Sequence, residues 1–244
     1  MLLPPSETKA EGGEGRFAAR ALSYPALIRP RAIVLDVLVE LARDPAAAAA
    51  VLHLGPKGAP LAERNRSLRR APVRPSIERY TGVVYDGLDI ATLSPAGRAW
   101  VDDHVAIGSA LFGLVRSADP IPAYRLSASV TLPGLPLRAH WAPAVSRVLQ
   151  RTGEWVLDAR SAAYAALGPA PAGSATLAVE SEGADGRRTA LNHWNKLHKG
   201  RLVRALAESA AQVSSRDDLL AWAASTGVRL EPRGATDVTL VIPA

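Results

Sequence analysis

Strand-like and helix-like segments alternate along these 244 residues, and the last two strands leave no room for a helix between them. Val228 to Glu231 and Val238 to Ile242 are joined only by Pro232 to Asp237. A parallel pair needs a crossover of a dozen or more residues, so this pair must close as an antiparallel hairpin. Upstream, apolar runs interleave with helical patterns, which is the signature of an α/β chain. The expected fold is therefore α/β, with a mixed, partly antiparallel sheet flanked by helices. No internal repeat and no linker breaks the pattern, so one domain over residues 1–244 is expected.

Local signals place the elements. Met1 to Leu3 reads as a buried first strand that stops at Pro4-Pro5, where proline removes the ladder donors. Glu11 to Gly15 is glycine-rich and acidic and reads as a mobile surface loop. Ile33 to Leu41 gives a mostly apolar helix. Asp44-Pro45 and Ser94-Pro95 each pair an N-cap with proline at the first helical position. The first opens a helix from Ala46 to Leu52, ended by Gly55. The second opens one through about Ala106. Ile107 to Val115 reads as one buried strand. Ala142 to Arg151 is a helix and Trp155 to Leu157 a strand, with a short helix over Ser161 to Leu167. Ala175 to Glu180 is a strand, turned by Gly183 to Gly186. Asn192 to Ala211 is mainly helical. Ser215 caps a last helix through about Ser225, with Asp217 and Asp218 in its first turn, where the helix dipole favours them.

Composition removes several functions. The chain has no cysteine, which excludes disulfides, thiolate zinc sites and a thiol nucleophile. The opening residues lack the basic and apolar regions of a signal peptide, and Ala46 to Leu52 is far shorter than the ~20 residues of a membrane span. A cytoplasmic protein with no membrane contact is expected. Phosphate-loop and dinucleotide fingerprints, HExxH and GxSxG are missing. His193 and His198 stand five apart, on different helix faces, so neither metal nor cofactor is expected. The net charge of +6 attracts polyanions.

Four segments carry polar residues where a ligand could meet them. Pro4 to Lys9 follows a strand directly, as ligand loops of α/β sheets do. Tyr80 to Leu88 holds two glycines and two tyrosines, which allow a close backbone approach. Arg116 to Leu126 places arginine after a buried strand, suited either to a phosphate fork or to an ion pair with Asp119. In Asn192 to Arg204, helical spacing puts Lys199 within the apolar face of Leu202, Val203 and Leu206, and Arg201 opposite. A lysine on a buried face needs a partner or a lowered pKa. A further basic run, Arg64, Arg66, Arg69, Arg70 and Arg74, reads either as a solvated face or as a phosphate patch.

Together these segments resemble the YaaA family of bacterial peroxide-stress proteins. The resemblance rests on LLPPSETK at Leu2 to Lys9, YTGVVYDGLDIATLS at Tyr80 to Ser94, and His104 followed by IGSALFGLVR. It continues through ADPIPAYRL at Ala118 to Leu126, His140-Trp141, and KLHKGRLVR at Lys196 to Arg204. Ser161 and Tyr164 match the family pattern. Lys199 stands where better-known members carry arginine, which keeps the charge and loses the bidentate fork. The resemblance implies the YaaA-like fold, a basic cleft, binding of DNA including non-duplex forms, and protection from peroxide. Two readings follow. In a DNA-binding protein, Lys9, Arg125, Lys196, Lys199, Arg201 and Arg204 contact phosphates, the Arg64 to Arg74 run extends the track, Tyr85 and Tyr124 belong to the same binding set, and DNA structure rather than sequence is selected. In an enzyme for a nucleobase, nucleotide or similar small anion, Lys196 or Lys199 is the base or clamp, Ser6 and Glu7 face it, and Tyr85 or Tyr124 donates a proton or walls the pocket.

Overall fold

Leu2–Leu3 (β1) is flanked on both sides by strands that come more than a hundred residues later. The structure, a computed structural model, describes residues 1–55, 58–190 and 194–243. In chain order, β1 is followed by α1 (Ile28–Leu41), α2 (Pro45–Val51), α3 (Ala59–Arg64), β2 (Val73–Pro75), α4 (Ser76–Arg79), α5 (Val83–Leu88) and α6 (Pro95–His104). Then come β3 (Ala106–Ser109), β4 (Gly113–Arg116), β5 (Pro120–Pro122), α7 (Leu137–Thr152), β6 (Leu157–Asp158) and α8 (Ala162–Ala165). The chain closes with β7 (Ala175–Glu182), β8 (Arg188–Ala190), α9 (Trp194–Glu208), α10 (Arg216–Thr226), β9 (Leu230–Arg233) and β10 (Asp237–Pro243).

The main sheet runs β4-β3-β1-β6-β7-β10-β9, with β8 added to β7. Its centre is parallel: β1 pairs with β3 and β6, β7 with β6 and β10. The three antiparallel pairs, β3-β4, β7-β8 and β9-β10, lie toward its flanks. β2 and β5 form a separate antiparallel ribbon. The fold is α/β with a mixed sheet, as the sequence pattern requires, and β9-β10 is the closing hairpin. Low aromatic content leaves the core to Leu, Val and Ala around Trp141 and Phe112. Trp141 satisfies its buried N–H by donating to Ala110 O at 2.8 Å.

The cap signals act as read. Asp44 Oδ1 accepts from the N–H of Ala46 and Ala47, Ser94 Oγ from Gly97, and Ser215 Oγ from Asp218. α2 ends at Val51, before Gly55, because His53 takes the left-handed conformation at φ 53°.

Three expectations need correction. Ile107 to Val115 is two strands, β3 and β4, folded back on each other across Ala110, Leu111 and Phe112. That turn is fully apolar and buried, so no turn residue betrays it. Its polarity is met from elsewhere: Arg31 Nε donates to Phe112 O and Nη2 to Leu114 O, and Ser109 Oγ accepts from Phe112 N. Glu11 to Gly15 is exposed but tied down, since Glu14 and Val73 exchange backbone hydrogen bonds and buried Arg79 donates to Ala10 O and Gly12 O. The turn at Gly183 to Gly186 leads into a strand the pattern missed, β8, paired back on β7.

Candidate binding cavity

Parallel β1 and β6 lie side by side and end at the same edge, so the loops that follow them emerge together. Pro4 to Thr8 comes from the first, and Ala159, Ser161 and Tyr164 from the second. Thr81, Gly82 and Tyr85 approach from the start of α5, and Asn195, Lys196 and Lys199 from the first turns of α9. These residues enclose a cavity of about 650 Å³.

Glycine sets how α5 and α9 meet. A Cβ on Gly200 would collide with the carbonyl oxygen of Val84, and one on Gly87 with that of Leu197. Only glycine at both positions lets the backbones approach this closely. The crossing holds Lys196 and Lys199 over the cavity opposite the β1 loop. The two glycines noted in Tyr80 to Leu88 thus serve different ends. Gly82, at φ 96°, starts α5 beside Ser6 Oγ and Thr8 Oγ1, whereas Gly87 packs against α9.

One wall is hydroxylic. Thr8 Oγ1 lies 3.1 Å from Ser6 Oγ and accepts from Thr81 Oγ1 at 3.1 Å. Tyr85 donates to Pro4 O at 3.0 Å, which pins the loop from below. Behind the loop, Lys9 is 9% exposed and its Nζ donates to Ser6 O at 2.9 Å. The ammonium rests 4.1 Å from the Tyr124 ring centre and 5.3 Å from that of Tyr80. Tyr124 hydroxyl bonds to Tyr80 hydroxyl and to Ser109 Oγ, each at 2.8 Å. Burial, reinforced by the Arg125 charge, lowers the Lys9 amine to about 7. Burial pushes Tyr80, Tyr85, Tyr124 and Tyr164 upward, so all four stay protonated near neutrality.

The opposite wall carries two lysines. Lys199 is 9% exposed and donates to Ala159 O at 2.9 Å. Burial lowers its pKa, against the pull of the Asp158 carboxylate and with the push of Lys196. Asp158 is itself held by buried Arg160, at 2.8 Å to Nε and 2.6 Å to Nη2. Lys196 is exposed to the cavity mouth. At the rim, Arg125 Nη2 meets Glu7 Oε2 at 2.6 Å.

Of the residues singled out in the sequence, Ser6, Glu7, Tyr85, Lys196 and Lys199 line the cavity. Lys9 and Tyr124 sit behind its wall, and Arg125 reaches it through Glu7. Two are not brought there. Arg201 is exposed on the far side of α9. Arg204 is occupied by Leu88 O, Asp89 O and Thr92 Oγ1, fastening α9 to the end of α5. Arg116 also turns to structure: its guanidinium donates to Asp103 O, while Asp119 accepts from Ser23 and the Arg116 backbone. Asn192 and His193 lie outside the described residues. Thr8, Thr81 and Asn195 also line the cavity, each inside one of the four polar segments but with no local signal of its own. Among the described residues, no group of three or more histidine, aspartate or glutamate side chains could hold a metal, and no helix is long and apolar enough to cross a membrane.

Residues 1–232 match the family described as peroxide stress protein YaaA. The chain belongs to that family. A UPF0246 protein of Corynebacterium glutamicum is 40% identical, over 99% of both chains. A UPF0246 protein of Corynebacterium efficiens is 39% identical, covering 99% of this chain and 98% of its own. One from Streptomyces coelicolor is 40% identical over 95% of this chain and 91% of its own. The family match spans β1, α5 and the α9 lysines, and so every wall of the cavity.

Proposed function

We propose that this protein binds DNA in non-duplex form as part of the cytoplasmic response to peroxide, taking an unpaired, phosphate-bearing nucleotide into the cavity. The observation that carries this reading is the convergence of Lys196 and Lys199 on a wall of hydroxyls from Ser6, Thr8 and Thr81. Two cations attract a phosphate, and hydroxyls bond to phosphate, sugar or base edges. About 650 Å³ lies within the range of small-ligand sites. A duplex is far too wide to enter it. Selection then falls on structures that offer unpaired bases, and the family's peroxide-stress description fits a role on damaged DNA.

A second reading treats the cavity as the active site of an enzyme for a nucleobase, nucleotide or similar small anion. The position of Lys199 favours it, because a buried amine beside a second cation is shifted toward the neutral, reactive form. Ser6 and Glu7 face it across the cavity.

Binding of labelled duplex, single strand and four-way junction at two salt concentrations separates these readings. The DNA reading expects the single strand and junction to bind better than duplex, with affinity that falls steeply with salt. It also expects the Lys196→Ala/Lys199→Ala variant to lose that binding. Equal affinity for all three in wild type and variant would refute it. Turnover of nucleotides or nucleobases, lost in the same variant, would establish the second reading.

A further inference from the structure

A second basic feature lies apart from the cavity. The 3-10 turn Asn65–Arg70 continues directly from α3. The turn buries Asn65 and Leu68, three residues apart as the 3-10 repeat requires, in line with buried Ala62 of α3. The same repeat turns Arg66, Arg69 and Arg70 outward. With Arg43 and Arg64 they line a groove of about 1030 Å³.

The carboxylates around it are weak competitors. Arg43 pairs with Glu40, Arg64 with Glu11 and Arg69 with Asp36, and those acids are 67%, 70% and 61% exposed. Exposed pairs of this kind contribute little and exchange readily. Glu63 is the acid that lines the groove itself. Arg66 and Arg70 form no ion pair among the described residues. Five guanidiniums on one concave surface suit bidentate contact with successive phosphates. Among the described residues no aromatic side chain lines the groove, so no aromatic ring there offers a platform for a base.

We propose that this groove is a second anion site, which binds a chain of phosphates by charge and guanidinium geometry without reading bases. The turn is bolted to the cavity rim. Buried Asn65 donates to Arg125 O at 2.8 Å and accepts from Arg125 N at 2.9 Å, and Arg125 in turn holds Glu7. A strand whose nucleotide enters the cavity therefore has a path for its flanking phosphates. That continuity rests on the DNA reading, whereas the groove's own affinity for phosphates does not.

The test uses the full chain with two labelled probes, inorganic polyphosphate and a single-stranded oligonucleotide. Wild type is compared with Arg66→Glu/Arg70→Glu and with Lys196→Ala/Lys199→Ala. The groove predicts that charge reversal weakens both probes by about tenfold or more and flattens the salt slope by about one to two phosphate contacts. The lysine variant should keep polyphosphate binding. Loss for polyphosphate alone, or for the oligonucleotide alone, supports the site and identifies its source of phosphate. Unchanged affinity and slope for both probes in the reversed variant overturn the proposal. So does loss of both probes in the lysine variant with none in the reversed one, an outcome that would leave the cavity reading intact. An Arg66→Gln/Arg70→Gln variant, with its melting midpoint checked, should show a smaller loss in the same direction.

Discussion

Gly87 and Gly200 face each other where α5 crosses α9, so closely that a Cβ on Gly200 would stand 3.0 Å from the Gly87 carbonyl carbon. The same Cβ would overlap Val84 O outright. Backbone cannot yield as a side-chain tip can. Gly200→Ala should therefore destabilise the fold by about 1–3 kcal/mol or more. It should also displace Lys196 and Lys199 and weaken anion binding. Gly55→Ala, where nothing among the described residues lies within 4 Å of a new Cβ, is the control. Urea denaturation of the three proteins checks this, and equal midpoints would contradict the crossing.

Lys9 makes stability depend on pH. Its amine is lowered to about 7 from an ordinary 10.5. Between those values the unfolded chain holds a proton that the folded chain has released, so stability rises with pH across the window. Below pH 7 both states hold the proton, and the full cost of burying the charge is present. The groups facing it are Arg125, Glu7, Arg64 and Arg79, with Tyr80 and Tyr124 beneath. Relative to Lys9→Met, the wild-type protein should gain stability between pH 7 and pH 10. Denaturation of both proteins at pH 6 and pH 9.5 reads this, and a constant difference would remove Lys9 as the cause.

Lys199 should behave as a residue kept at a cost to the fold. Burial disfavours its charge, and among the described residues its ammonium donates to Ala159 O alone. Lys199→Met should leave the melting midpoint level or raised, while anion affinity falls by about tenfold. A lowered midpoint with intact binding would make it a structural lysine.

Asp158 and Arg160 should respond in the opposite way. Arg160 is almost completely enclosed, and Asp158 is its charge partner. Asp158→Ala leaves a buried guanidinium unpaired and should cost about 3–5 kcal/mol. Thermal unfolding measures it directly, and a loss of under about 1 kcal/mol would mean that the Gly168 and Tyr164 carbonyls satisfy Arg160 by themselves.

What could be read from the sequence was what its neighbours in sequence decide. Asp44, Ser94 and Ser215 announce their helices because a cap bonds within three residues. Lys199 betrayed its burial through the period of Leu202, Val203 and Leu206. The β3-β4 turn was invisible because its polar partner, Arg31, lies some eighty residues away and its own residues are apolar. Arg204 misled for the same reason. It carries the same charge as a phosphate contact, and only the fold reveals that Leu88 O and Asp89 O already occupy it. Motif segments located the cavity, but which side chains face into it depends on crossings such as Gly87 with Gly200.

The central place of β1 has a consequence for when the site exists. Leu2–Leu3 is a two-residue strand whose partners, Ala106, Ile107 and Asp158, stand more than a hundred positions away. Contacts of such sequence separation form slowly, after local helices and hairpins. Only Pro4 and Pro5 separate Ser6, Glu7, Thr8 and Lys9 from β1, so their placement waits on that closure. Any opening that frees this short strand also withdraws the loop. Slow amide exchange at Ala106 and Ala159, which donate to Met1 O and Leu2 O, therefore times the lifetime of the cavity as well as that of the sheet.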